Sequence, residues 1–125
     1  MPVVAVVFAA LAALLHVVFF AFESILWTRP TIWRRFGLTS QQDANTTRPL
    51  AYNQGFYNLF LAVGVIVGLF LLSAHEPAGR AVVLFGCSCM AAAAVVLLST
   101  GLDKLRAALI QFVPPALAVV FTITL

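Results

Sequence analysis

With seven Lys or Arg and four Asp or Glu among 125 residues, the chain is 63% hydrophobic and 9% charged; an ordinary soluble domain is about a quarter charged. So few charges cannot cover a water-facing surface, which excludes a soluble globular protein. The net charge of +3 lies in connecting segments rather than along a phosphate-tracking stripe, which argues against a nucleic-acid partner.

Four apolar runs stand out, Val3–Trp27, Leu50–Ser73, Ala81–Ser99 and Ala107–Leu125. At 1.5 Å rise per residue each reaches across a hydrocarbon core of ~30 Å, the last two only just. Unbroken apolar runs without period-two alternation leave helices rather than a barrel. The expectation is an all-α fold: a four-helix transmembrane bundle forming a single domain, with short interfacial helices in the first connection.

The first run has no Lys or Arg from Met1 to Leu15, whereas a signal peptide begins with a positive segment. Hydrophobicity continues past the Ala9, Ala10, Ala12 and Ala13 cluster to Phe22, so this run reads as a retained helix. On it His16 and Glu23 return to nearly the same face after two turns but lie roughly 10 Å apart along the axis. They line one polar strip and cannot hydrogen-bond each other directly.

The first connection holds Arg29, Arg34, Arg35 and Arg48. Ile32, Trp33 and Phe36 fall on one side of a short helical stretch with Gly37 placed as its stop, the pattern of an interfacial helix. Thr39 with Gln42 matches a capping box opening a second short turn, and Pro49 suits the first turn of the second span. Trp27 and Trp33 stand where interfacial anchors are expected.

In the second span Asn53, Gln54, Tyr57 and Asn58 recur at helical spacing as a dense polar face. Gly64 and Gly68 form a small-xxx-small pair for helix packing. His75 and Glu76 belong to the short second connection and read as solvated. Cys87 and Cys89 point roughly 200° apart on the third helix, so they share neither a metal site nor an ordinary disulfide. They read as small packing residues. In the fourth run, Pro114 and Pro115 deprive the carbonyls of Ile110 and Gln111 of their helical partners and predict a helix break. No metal or cofactor is implied anywhere in the chain.

The first and third connections carry six basic residues (Arg29, Arg34, Arg35, Arg48, Lys104, Arg106) and the second only Arg80. By the positive-inside rule the first and third face the cytosol, placing both termini outside in a plasma-membrane protein. This topology puts Glu23, Asn53, Gln54, Asn58 and Gln111 in the cytosolic half, with His16 and the two prolines at its inner limit; with Tyr57, these side chains from His16 to Gln111 are the candidate lining of a polar pocket. The competing reading is interhelical glue, amides on facing helices contributing about 0.6 kcal/mol each.

The strings His16-Val17-Val18-Phe19-Phe20-Ala21-Phe22-Glu23, Trp27-Thr28-Arg29-Pro30 and Phe36-Gly37-Leu38-Thr39, and above all Asn53-Gln54-Gly55-Phe56-Tyr57-Asn58, continuing through Gly64, carry a resemblance. With a weaker echo at Gln111-Phe112-Val113-Pro114, they resemble bacterial and fungal membrane proteins catalogued as domain of unknown function 1304. The resemblance implies a short four-helix membrane protein and assigns no activity.

Three functions stand as hypotheses. The leading one is a binding or accessory protein holding a small polar or amphipathic, lipid-like ligand in the cytosol-facing pocket. Its partners are membrane lipids, with a homo-oligomer or a larger membrane complex left open. A small oligomeric antiporter is the second, which needs its acid at mid-membrane. The third is an intramembrane isomerase in which Glu23 and His16 flank a substrate as acid and base.

Overall fold

The computed structural model describes residues 1–125 and is all-α, without strands. Four long helices dominate: α1 (Val3–Phe20), extended by a π turn over Ala21–Ile25; α3 (Gln41–Ala74); α4 (Glu76–Ser99); and α5 (Leu105–Thr124). A short α2 (Pro30–Trp33) and two 3₁₀ turns, Arg34–Phe36 and Leu102–Lys104, complete the chain. The four long elements are each long and apolar enough to cross a membrane. By contacts the chain divides into two compact units, one of Met1–Leu15 with Leu61–Leu125 and one of His16–Phe60.

In the larger unit alanines make up most of the helix contacts, with the larger Met90, Val65 and Val83 filling the space between them. Ala5, Ala9, Ala12 and Ala13 of α1, Ala62 and Val65 of α3, Val83, Cys87, Met90 and Ala94 of α4, and Ala108 and Ala118 of α5 are all buried. The alanines let backbones approach closely in lipid, where association rests on van der Waals packing rather than on apolar burial. A single residue, His75, separates α3 from α4, and its Nδ1 accepts the Ala78 N–H at 3.2 Å as the N-cap of α4. The connection is thus a one-residue reversal, in which His75 and Glu76 are exposed as expected and His75 also serves as the cap. Near the same end Arg80 donates to the Thr122 carbonyl at 3.1 Å, one of the last carbonyls of α5 that lack a helical donor.

The glycine contacts depart from the expected pair. A Cβ on Gly68 would stand 2.9 Å from Val83 Cγ2, whereas Gly64 has nothing within 4 Å. The close approach of α3 to α4 is made instead by Gly68 with Gly79, whose added Cβ would meet Leu72 N at 2.6 Å and the Gly68 carbonyl at 2.7 Å. Gly86 faces Val65 in the same way, at 2.7 Å. Gly79→Ala is therefore expected to destabilise the fold by about 1–2 kcal/mol, since the backbone it strikes has little room to move. Gly64→Ala should be neutral or stabilising by about 0.5–1 kcal/mol through helix propensity. Unfolding in mixed micelles of rising SDS fraction would measure both.

The predicted break at Pro114 and Pro115 does not occur. Helix α5 runs through both prolines, which are buried. A proline costs a helix one donor and a clash with the carbonyl four residues earlier, but lateral packing in a membrane holds the helix across the defect.

The smaller unit contains the end of α1, the π turn, α2 with its 3₁₀ extension, and the first twenty residues of α3. Gly37, in the left-handed region at φ 85°, ends the short helical stretch as expected, its N–H bonded to the Arg34 carbonyl. The expected second short turn is instead the start of a long helix. Ser40 caps it, its Oγ accepting the Asp43 N–H at 3.1 Å, and α3 then runs 34 residues from Gln41, a rise of ~51 Å. That exceeds the bilayer core, so part of α3 continues beyond it. Pro49 lies inside this helix rather than in its first turn. The carbonyl it deprives is that of Asn45, an exposed residue, where water can satisfy it.

Both tryptophans are buried, contrary to their expected role as membrane anchors. The Trp27 indole N–H is shared between the Ala44 carbonyl at 3.1 Å and Thr47 Oγ1 at 3.2 Å, and Trp33 donates to Gln41 Oε1 at 3.2 Å. Gln41 in turn donates to the Thr28 carbonyl. With Ala44, Ala51 and Leu38 the two rings form a small core under α2, and the Phe36 ring packs on Trp27 with centroids 4.8 Å apart.

Candidate functional site

The site is built where α1 gives way to the π turn. An i→i+5 hydrogen bond, Leu26 N–H to the Ala21 carbonyl at 2.9 Å, inserts one extra residue into the turn, a device found frequently at functional sites. In this turn Glu23 is only 9% exposed, and the neighbouring Ser24 is half-buried. Its opposing strip on α3 has the spacing Ala51, Gly55, Asn58, alternating steps of four and three that keep one face inward. All three are buried.

Two hydrogen bonds join the helices. Asn58 Nδ2 donates to Glu23 Oε1 at 2.6 Å, within the buried interior, and Ser24 Oγ donates to the Tyr52 carbonyl at 2.8 Å. Gly55 makes this contact possible. A Cβ there would collide with Ser24 Oγ and stand 3.0 Å from both Ser24 Cβ and Ser24 N. An aromatic ladder flanks the pair, Phe20 meeting Phe56 edge-on at 5.1 Å and Phe56 meeting Tyr52 at 5.0 Å.

The remaining candidates are distributed unevenly. His16 is fully buried on α1 with its ring edge-on to Phe19 at 5.1 Å. Asn53, Gln54 and Tyr57 are exposed. At 100° per residue Asn53 and Tyr57 turn away from the inward strip while Asn58 joins it, and Gln54 lies at its margin. The expected polar face therefore splits, one amide inward and the rest outward. Gln111 is half-buried on α5, in the larger unit. Ser24, Gly55 and the carbonyl of Tyr52 also belong to the site, although residue type alone does not mark them. The one sequence signal for Gly55 is its place three residues before Asn58, on the same helical face.

Chemically, the arrangement presents a carboxylate taken by one amide donor through one oxygen. The second oxygen has no protein partner, and each carboxylate oxygen accepts more than one hydrogen bond. Such an oxygen is chemically able to accept a hydrogen bond or to pair with a cation. The hydroxyl of Ser24 spends its proton on the Tyr52 carbonyl, not on Glu23, so the two do not form a nucleophile and base pair.

Four apolar spans and a buried carboxylate between the first two define a helical integral membrane protein. The chain matches the family described as protein of unknown function (DUF1304) over residues 10–123, and it belongs to that family. No curated protein and no solved structure matches it.

Proposed function

We propose that the protein binds a small polar or amphipathic, lipid-like ligand at Glu23, either alone or as the accessory subunit of a larger membrane complex. The observation that supports this is the buried Glu23 carboxylate, anchored by Asn58 and holding one oxygen without a protein partner. A bare carboxylate at the edge of a bilayer costs free energy unless a donor or cation meets it. A lipid headgroup with an amine or hydroxyl supplies that donor, and its chains lie along the exposed apolar faces of α1 and α3. Because the arginine-rich connection lies at this end of the first span, the positive-inside rule directs the site to the cytosolic leaflet, with both termini on the far side of the plasma membrane.

Glu23→Gln and Asn58→Leu are the variants to compare by mass spectrometry of lipids and small molecules retained through purification. Both should lose a retained species by several-fold relative to the wild type. Unchanged retention in both would remove the proposal. The antiporter reading is not favoured, because some twenty helical residues separate Glu23 from Val3, which puts the acid near one end of its span. Nor is the isomerase reading, since His16 packs on Phe19 two turns away from Glu23.

A further inference from the structure

We infer that the arginine cap of the smaller unit is a docking surface for the phosphate groups of anionic phospholipids in the leaflet it meets. Arg29, Arg34, Arg35 and Arg48 are all exposed, and none has a carboxylate within ion-pair distance; the salt bridges of the chain involve only Met1, Glu76, Asp103 and Lys104. The segment from residue 29 to 48 contains a single acid, Asp43. Four unneutralised guanidinium groups on so short a stretch call for an anionic counterpart.

All four lie in the segment 29–48, which supplies Trp33, Leu38 and Ala44 to one small buried core. They bracket the buried Trp27–Trp33–Ala44 core: Arg29 follows Trp27 by two residues, Arg34 adjoins Trp33, and Arg48 adjoins Thr47, which accepts the Trp27 N–H. Two are also held against aromatic rings, Arg34 at 5.3 Å from the Trp33 centroid and Arg35 at 5.7 Å from that of Phe22. Stacking leaves the edges of a guanidinium free to donate while limiting its motion, the geometry that suits bidentate phosphate binding. Phe22 lies in the π turn closing the first span, so Arg35 sits at the height where the helix leaves the hydrocarbon and headgroups begin. Lipid phosphate, rather than a soluble anion, is the counterpart found there.

The inference does not require a ligand at Glu23, and the test keeps the two apart. The only tryptophans in the chain, Trp27 and Trp33, are fluorescent reporters inside the cap. The protein is reconstituted in phosphatidylcholine bilayers in which either phosphatidylglycerol or phosphatidylcholine carries brominated chains, and quenching gives the relative lipid association. An arginine near a charged surface is worth about five-fold in affinity. Phosphatidylglycerol should therefore be preferred about five-fold or more at low salt, and the preference should shrink at 0.5 M salt as screening shortens. Arg34→Gln/Arg35→Gln should bring it below about two-fold. So should Arg29→Gln/Arg48→Gln, which leaves the stacked arginines in place and whose unchanged tryptophan emission would show an intact core. Glu23→Gln should retain the preference. Equal quenching by the two lipids in the wild type, or a preference that survives both double variants, would overturn the inference. Abolition of the preference by millimolar inorganic phosphate at constant ionic strength would also overturn it, marking a site for soluble anions instead.

Discussion

Asn58→Leu is expected to destabilise the protein by about 3 kcal/mol, more than loss of one amide hydrogen bond between membrane helices ordinarily costs. The ordinary figure averages ~0.6 kcal/mol because both partners find substitutes. Here the partner left behind is a carboxyl group that is 9% exposed and bonded to no other protein group, and leaving a buried acceptor without its donor costs about 1–3 kcal/mol. Glu23→Leu in the same background should recover most of the loss, since removing both polar groups leaves two apolar surfaces in contact. A double-mutant cycle by SDS titration would show a coupling of at least ~1.5 kcal/mol. A coupling near zero would mean that the 2.6 Å contact contributes nothing.

Gly55→Leu should be as damaging, for a steric reason. The position faces Ser24 across the helix contact, and its first added atom already strikes the Ser24 side chain and approaches the Ser24 backbone to 3.0 Å. Overpacking of this kind costs about 1–3 kcal/mol and at times more, and a whole leucine would force α1 from α3 and part Glu23 from Asn58. Gly55→Ala is expected to cost about 1–2 kcal/mol. Ser24→Gly should relieve part of that, because it removes the hydroxyl and Cβ in the way but not the backbone nitrogen. Additive effects of Gly55→Ala and Ser24→Gly in thermal unfolding would contradict the close approach.

Much of the architecture was legible because bilayer thickness is written into the sequence as run length: four charge-poor runs became four long helices. Gly37 was legible for a similarly local reason, since few other residues end a turn at positive φ. The start of α3 was not. Residues 41–49 read Gln-Gln-Asp-Ala-Asn-Thr-Thr-Arg-Pro and show no apolar period, because this part of the helix buries little more than Ala44 and receives its apolar cover from Trp27 and Trp33, distant in sequence. Their burial was hidden for the same reason: composition at a membrane boundary suits an anchor, and only the fold supplies the carbonyl that binds the indole.

In the site, Glu23 and Asn58 were visible as costly residues in apolar surroundings, but their pairing depends on the π turn, which no local pattern announces. The turn redirects Glu23 relative to an ideal helix, so the face computed at 100° per residue no longer holds beyond Phe20. Among the glycines, spacing alone favoured Gly64 and Gly68. The partner helix decides which of them is needed, and it selects Gly68 with Gly79 and Gly86. Pro114 and Pro115 teach the converse lesson: a residue that ends helices in water is carried inside one where neighbouring helices hold it.

The most direct test joins position 24 to position 55 covalently. In a Cys87→Ala/Cys89→Ala background, Ser24→Cys with Gly55→Cys sets two β-carbons about 3.0 Å apart, within a small helix shift of the 3.5–4.5 Å that a disulfide spans. After mild oxidation in native membranes and then denaturation in SDS, both thiols should be protected from alkylation, read by mass, while the single-cysteine controls alkylate fully. Free alkylation of both cysteines after oxidation would show that the first two membrane helices do not meet at Gly55, and that Glu23 is not held by Asn58.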